Sequence, residues 1–307
     1  MILALDIGGT AVKLGLVDRE GNVLEKTSAD VAFDAYRTPI FDTVVSSARR
    51  FLKEREVVPE GIAVSATGQV DTDTGVIIGT NGKIPNYEGT RLKDGLEKAF
   101  GVRTWALNDA NAAVLGECFT GRARGLKNVI MITLGTGVGG GVVADGKILG
   151  GRRGIAGEMG HFPLYADGIP CTCGLIGCYE NYASVTALIR RCGERTGIPG
   201  LNGRMIFERA EAGEKLFCDV LREWIRDIAG GLCGLIHIFN PEMVLIGGGV
   251  SSQEELLVRP LRESVLLGTM PRFRENLCLK SAALGNDAGL VGAVRYWLDR
   301  EVSGDDH

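Results

Sequence analysis

The sequence has no run of eighteen apolar residues, and its opening, Met1 to Gly9, lacks the basic flank and apolar length of a secretory signal. The first absence excludes a membrane-spanning helix, and the second directs expectation to the cytoplasm. An excess of positive charge is missing as well. Lys and Arg number 34 against 38 Asp and Glu, for a net charge of -4, and the basic residues are scattered rather than gathered in a stripe. Such a surface does not neutralise a nucleic-acid backbone or an anionic bilayer, so neither is an expected partner. No low-complexity linker interrupts the 307 residues, a length that suits two domains of ordinary size.

Glycine and cysteine are what the chain has in quantity. Its 45 glycines are about twice the average usage, with no collagen period, which points to backbone approaching something closely. Eight cysteines in a reducing compartment argue against a disulfide framework. Cys118, Cys192, Cys218, Cys233 and Cys278 stand in apolar or helical contexts as small core residues, whereas Cys171, Cys173 and Cys178 crowd together. With His161 they supply one imidazole and three thiolates, a full tetrahedral set for structural zinc on a Gly- and Pro-rich segment.

Apolar runs alternate with helical periodicity. Ile2 to Asp6, Gly61 to Ala66, Thr104 to Leu107, Val129 to Leu134 and Met243 to Ile246 read as buried strands. Helices are expected through Phe41 to Leu52, from Ala110 onward, from Asn181 to Arg191, through Leu216 to Leu232 and through Leu290 to Trp297. The fold class is therefore α/β. Asp6 to Asp18 lies over Thr133 to Asp145 without a gap, Gly8 on Gly135 and Gly15 on Val142, so a strand, glycine turn and return strand are duplicated. The duplication divides the chain at residues 1-110, a smaller lobe, and 111-287, a larger one. A helix at 288-301 packs back on the first lobe, and 302-307 form a disordered tail.

Glycines at a strand-to-strand turn let N–H groups reach phosphate oxygens, and Thr10 or Thr136 can add a hydroxyl. Taken singly, each turn is equally well an ordinary tight hairpin. Two familiar phosphate motifs fail. Gly135-x-Gly137-x-x-Gly140, with Glu158 downstream, fits the dinucleotide fingerprint, but a strand follows instead of a helix. Gly141 to Lys147 approaches a Walker A loop, yet Ile148 lacks the hydroxyl for magnesium. Asn108-Asp109, between an apolar strand and a helix, stands where open α/β sheets bind ligands, and also where either residue could be an N-cap.

Five motifs, Asp6-Ile7-Gly8-Gly9-Thr10, Asn108-Asp109-Ala110-Asn111, Leu134-Gly135-Thr136-Gly137-Val138-Gly139, Gly157-Glu158-Met159-Gly160-His161 and Cys171-Thr172-Cys173 with Gly177-Cys178-Tyr179-Glu180, stand in the order seen in the ROK family. The chain resembles that family of repressors, open reading frames and kinases over nearly its whole length. The resemblance implies the actin-like ATPase (ribonuclease H-like) fold, two lobes with a central cleft. It implies Asp109 as catalytic base, accepting a sugar hydroxyl proton as the oxygen attacks the γ-phosphorus of ATP. ATP and Mg2+ then fall to Asp6, Gly8, Gly9, Thr10, Lys13, Gly135, Thr136, Gly137, Gly139, Gly248 and Gly249. The sugar falls to Gly68, Asn81, Asn108, Asp109, Glu158, His161 and Glu180. Glu180 could instead simply start the helix after it.

The segment Asn81-Gly82-Lys83-Ile84-Pro85-Asn86-Tyr87 departs from the family's Asn-Leu-Pro-Gly-Trp form, so Asn86 competes with Asn81 and the sugar stays open. Glucose is the first choice for phosphorylation at the 6-hydroxyl, with N-acetylmannosamine, N-acetylglucosamine, fructose or a β-glucoside as alternatives. A sugar-responsive repressor would need a helix-turn-helix before the first phosphate strand, which starts at Ile2. An actin-like or chaperone ATPase would lack the zinc loop. A homodimer is expected from the resemblance.

Overall fold

Apolar runs closed by glycine turns become strands, and the periodic stretches between them become the helices covering those strands. The computed structural model describes residues 1–80 and 84–303. Asn81 and the tail 304–307 lie outside the described residues. The chain divides into two compact units, one of Met1–Gly125, Ile148–Gly157 and Leu284–His307, the other of Leu126–Lys147 and Glu158–Ala283.

In the first unit, β1 (Ile2–Ile7) pairs antiparallel with β2 (Ala11–Val17) and parallel with β4 (Gly61–Ala66). The sheet is completed by β3 (Val23–Asp30) and β7 (Thr104–Asn108) in the order β3-β2-β1-β4-β7. The helices α1 (Ile40–Lys53), α2 (Leu92–Phe100) and α3 (Asp109–Phe119), with a small hairpin of β5 (Gln69–Asp71) and β6 (Val76–Gly79), complete this part. Leu3, Leu5, Val44, Phe51, Ile62 and Val64 are among its fully or nearly fully buried core.

The second unit repeats the plan. β8 (Val129–Leu134) pairs antiparallel with β9 (Val138–Ala144) and parallel with β11 (Met243–Gly247), in the order β10-β9-β8-β11-β12, where β10 is Lys147–Ile148 and β12 is Cys278–Ser281. Its core is centred on the 25-residue helix α7 (Lys215–Phe239), reached through α4 (Glu180–Ala183), α5 (Val185–Thr196) and α6 (Gly203–Glu211). Asn240 ends α7 in a left-handed conformation (φ 45°), ahead of Pro241. After β11 come α8 (Arg259–Gly268) and α9 (Pro271–Arg274).

Four sequence expectations need correction. The duplicated hairpins do not overlay without a gap. Ile7 pairs with Val12 across the first turn, whereas Leu134 pairs with Val138 across the second, which is therefore one residue shorter. Gly15 then corresponds to Gly141, not Val142, and Gly139 lies inside β9, opposite Thr133, instead of in the turn. The helix expected over Asn181 to Arg191 is broken at Ser184, whose Oγ accepts from Ala187 N–H (3.1 Å) and so caps α5. The Trp224 indole N–H fixes the break by donating to the carbonyls of Ala183 and Ser184 (3.0 and 3.1 Å).

The boundary drawn at residues 110 and 111 also falls inside the first unit. α3 belongs there because α10 (Ala288–Ser303) lies directly against it. A Cβ on Gly292 would stand 1.6 Å from Ala112 O, and one on Gly116 would stand 2.5 Å from Ala288 O. Only glycine admits that approach of two backbones. α10 continues to Ser303, so residues 302 and 303 are helical.

Candidate active site

Asp6 ends the apolar part of β1, and its position opposite Lys13 on β2 follows from the hairpin register. Lys13 Nζ donates to Asp6 Oδ2 (2.9 Å) and Ser65 Oγ donates to Oδ1 (2.7 Å), leaving the carboxylate about one-sixth exposed. The N–H of Gly8 closes the first turn on Ala11 O (2.9 Å). The carbonyls behind the turn are anchored too, Gly9 O by the Tyr36 hydroxyl (2.8 Å) and Thr10 O by Val31 N–H (2.9 Å).

The junction of β7 and α3 shows which of the two neighbours Asn108 and Asp109 caps the helix. Asn108 is the cap. Its Oδ1 accepts from Ala110 N–H (2.9 Å) and Asn111 N–H (3.2 Å), and its Nδ2 donates to Gly68 O (2.9 Å) and Asp109 Oδ1 (3.0 Å). Asp109, the first helical residue, is held by that amide and by Ala110 N–H (2.8 Å). Gly68 sits at φ +90°, where a Cβ would also stand 2.8 Å from Gly79 O, so a side chain is excluded there twice. Asn86 is exposed and left-handed (φ 56°), as a turn residue is, while Asn81 lies outside the described residues.

Sequence reasoning missed Ser65 and Tyr87. Tyr87 is 2% exposed, and among the described residues its hydroxyl has no hydrogen-bond partner. Burial first, then the charges of Asp109 and Asp6, push that hydroxyl's pKa well above the ordinary value, which places the phenol in the field of both carboxylates. It takes the tryptophan position of the Asn-Leu-Pro-Gly-Trp pattern, a signal present in the sequence.

In the second unit, Gly135 N–H closes the shorter turn on Gly137 O (3.0 Å). Gly248 (φ +90°) lies against that strand end, since a Cβ there would be 2.1 Å from Leu134 O. Beside the turn, Leu134, Gly135, Val185, Ile189, Gly249 and Val250 bound a cleft of about 230 Å³. Thr136 and Thr186 are the polar side chains of its lining, and the Thr186 hydroxyl already donates to Thr136 O (2.8 Å). Val185, Thr186 and Ile189 were not singled out in the sequence.

The Cys and His side chains come together. One donor atom each from His161, Cys171, Cys173 and Cys178 lies within 4.8 Å of the other three. His161 Nδ1 is 3.8 Å from Cys171 Sγ, and the Sγ atoms of Cys173 and Cys178 are 3.6 Å apart. Tetrahedral zinc with Zn–S bonds of about 2.3 Å sets sulfurs roughly 3.8 Å apart, so the donor set fits that ion. Burial, with hydrogen bonds to Cys173 and Cys171, pushes the Cys178 thiol up to about 12. For Cys173 burial also acts to raise the value, but the Leu175 N–H and the neighbouring thiols more than offset it and hold the thiol low. Glu158, exposed, precedes the helical turn Met159–His161, and His161 N–H donates to its carbonyl (3.1 Å). Half-buried Glu180 starts α4, and its Oε2 accepts from Val138 N–H (3.1 Å).

Comparison with known proteins now decides the family. The ROK family model matches residues 2–300. The chain belongs to the ROK family. It is 35% identical to a glucokinase of Thermotoga maritima over 97% of this chain and 98% of that relative. With a β-glucoside kinase of Listeria innocua it shares 33% identity, covering 98% of each. A solved ROK family glucokinase from Streptomyces griseus, in complex with glucose and AMPPNP, superposes with a TM-score of 0.81 at 33% identity, over 96% of this chain and 98% of that one. ROK membership makes the two matching sheets the two lobes of an actin-like ATPase fold.

Proposed function

We propose that this ROK protein transfers the γ-phosphoryl group of ATP to the 6-hydroxyl of a hexose, glucose before N-acetylmannosamine, N-acetylglucosamine, fructose or a β-glucoside. The observation that carries the reading is the Asp109 carboxylate, set at the start of α3 by a neighbouring cap that relieves it of capping duty. In that role it takes the hydroxyl proton as the sugar oxygen attacks phosphorus. Asn108, Gly68, Glu158, His161 and Glu180 are assigned to the sugar, because carboxylates accept from vicinal hydroxyls and an amide can do both.

The turn residues Gly8, Gly9, Thr10, Gly135, Thr136 and Gly137 are assigned to the phosphates, with Gly139, Gly248 and Gly249 behind them. The apolar cleft between Leu134 and Val250 is assigned to the base. Magnesium, when bound, would neutralise charge developing on the transferring phosphoryl group, with Asp6 as its side chain and Lys13 as that side chain's partner. His161 Nδ1 and the three thiolates would hold zinc in a closed four-ligand shell, a structural role that leaves no position for a reacting water.

A panel of hexoses with MgATP in a coupled ADP-release assay tests the function. Glucose is expected to give the highest kcat/KM, and no ADP release with any hexose would defeat the reading. Among the described residues no helix is long and apolar enough to cross a membrane. We further propose a cytoplasmic homodimer that engages neither nucleic acid nor membrane; sedimentation equilibrium reads the dimer.

A further inference from the structure

Three hydrogen bonds fasten the second glycine turn to the segment that begins after Cys178. Glu180 Oε2 accepts from Val138 N–H (3.1 Å), Gly135 O from Val185 N–H (2.9 Å), and Thr136 O from Thr186 Oγ1 (2.8 Å). That segment is itself rigidly rooted. Tyr179 N–H donates to Phe162 O (2.9 Å) beside His161, and the fully buried Tyr179 hydroxyl donates to Ile228 O in α7 (2.7 Å).

Glycines make room for the Glu180 contact. A Cβ on Gly137 would stand 2.1 Å from Glu180 Oε2, and one on Gly160 would meet Val138 O at 2.3 Å and Glu180 Cβ at 3.4 Å. The carboxylate thus touches the turn from the side, with Oε2 on a turn-end N–H.

We infer that Glu180 is a positioning residue for the second phosphate turn, and that through it an occupied sugar site tightens nucleotide binding. This rests on the proposed kinase reading, in which Glu180 meets the sugar and Gly135–Gly137 meet phosphate. A sugar hydroxyl donating to Oε1 holds the side chain in the rotamer that keeps Oε2 on Val138 N–H. The turn is then ordered before nucleotide arrives, and by linkage bound nucleotide favours sugar by the same factor.

Calorimetry with glucose and with AMPPNP, on full-length metal-loaded protein, tests the coupling. Gly137→Ala inserts a methyl where the carboxylate lies, so glucose affinity measured without nucleotide falls about 10- to 100-fold, the scale of a lost charged hydrogen bond. Glu180→Asp withdraws the carboxylate by one methylene and weakens both ligands. Combined with Gly137→Ala it is no worse than alone, because the methyl no longer displaces anything. Glu180→Gln keeps an acceptor for Val138 N–H, so it weakens glucose while AMPPNP affinity stays closer to parental than in Glu180→Asp. Parental glucose affinity in Gly137→Ala, or multiplying effects in the double variant, overturns the inference. If Gly137→Ala does not fold, equal AMPPNP affinities for Glu180→Gln and Glu180→Asp overturn it instead. A parent that binds neither ligand defeats the kinase reading itself.

Discussion

Replacing Asn108 and Asp109 separately distinguish a cap from a catalytic base, because the structure gives the two neighbours different bonds. Asn108→Ala removes the acceptor of two helix N–H groups and the donor to Gly68 O. Loss of an N-cap costs about 1 kcal/mol and up to ~2 kcal/mol, and each kcal/mol lowers Tm by about 2 to 4 °C in a domain of this size. Asp109→Ala leaves that cap in place and removes one negative charge from the first turn of α3, worth roughly 0.3 to 1 kcal/mol. Its chemical cost is larger. A positioned general base contributes about 10² to 10⁴ in kcat, which is ~2.7 to 5.5 kcal/mol of barrier.

The expected pattern is therefore crossed. Asn108→Ala melts lower than Asp109→Ala, whereas Asp109→Ala loses far more kcat. Coupled ADP release at saturating glucose and MgATP, run beside differential scanning fluorimetry, reads both quantities. Asp109→Ala should still bind sugar and nucleotide within about tenfold of parent, since the interaction it loses belongs to the transition state. Parental kcat in a folded Asp109→Ala protein would refute the assignment and leave a sugar- and phosphate-binding protein with its catalytic group elsewhere.

Purified protein should carry about one zinc per chain, and Cys173→Ala should lose both metal and sugar affinity, as His161 and Glu180 lose their anchor; active, unchelated protein without zinc would refute this. Arg153 Nε donates to the buried Asp71 carboxylate (2.7 Å). Burial acts to raise the Asp71 pKa, but Arg153 and the N–H groups of Thr74 and Asp73 more than offset it, so the folded value lies below the unfolded one. The stability this adds is present above pH ~4 and lost as pH falls through the folded value. Arg153→Ala should accordingly cost about 1 to 2 kcal/mol at pH 7 and much less near pH 3, read from urea midpoints; an equal loss at both pH values would refute the sign. Among the described residues lining the cleft beside Thr136 there is no charged or amide side chain, so ITP and GTP should support turnover within roughly tenfold of ATP, the range of shape-based discrimination. A preference for ATP beyond about a thousandfold would point to hydrogen-bond readout.

Local patterns carried much of this architecture. The apolar runs of β1, β4, β8 and β11 are broken only by Asp6, Ser65 and Thr133 near their ends, and each meets a glycine or small polar turn, so their existence and type are plain in the sequence. The cysteine cluster was legible because its spacing is short and its chemistry narrow. Register was not. The one-residue difference between the two turns is set by cross-strand pairing, and an overlay of glycines absorbs it unnoticed. Nor could sequence divide Asn108 from Asp109, since either side chain can cap and only the folded chain shows which one accepts Ala110 N–H and Asn111 N–H together. Ser65 lies 59 residues from Asp6, and only the parallel pairing of β1 with β4 brings it alongside. The break at Ser184 did leave a sign, a serine before Val185-Thr186-Ala187, which a run of helical spacing concealed.

The contact between the first hairpin and residues 286–290 has a consequence for synthesis. Lys13 Nζ donates to Asn286 O (3.4 Å), Gly289 passes so close to Asp6 that a Cβ would sit 2.8 Å from its Oδ1, and Leu290 abuts Gly15. Lys13 and Asn286 are 273 residues apart in the chain, so the hairpin assigned to phosphate is translated long before the neighbours that close on it. A nascent chain stalled before residue 286 has the strand, the turn and Asp6 but not the helix that closes on them. The second unit, Leu126–Lys147 with Glu158–Ala283, has by then been translated in full. The hairpin made before the second unit is therefore closed only after that unit has been translated, and the site assigned to it cannot mature until residues 286–290 exist.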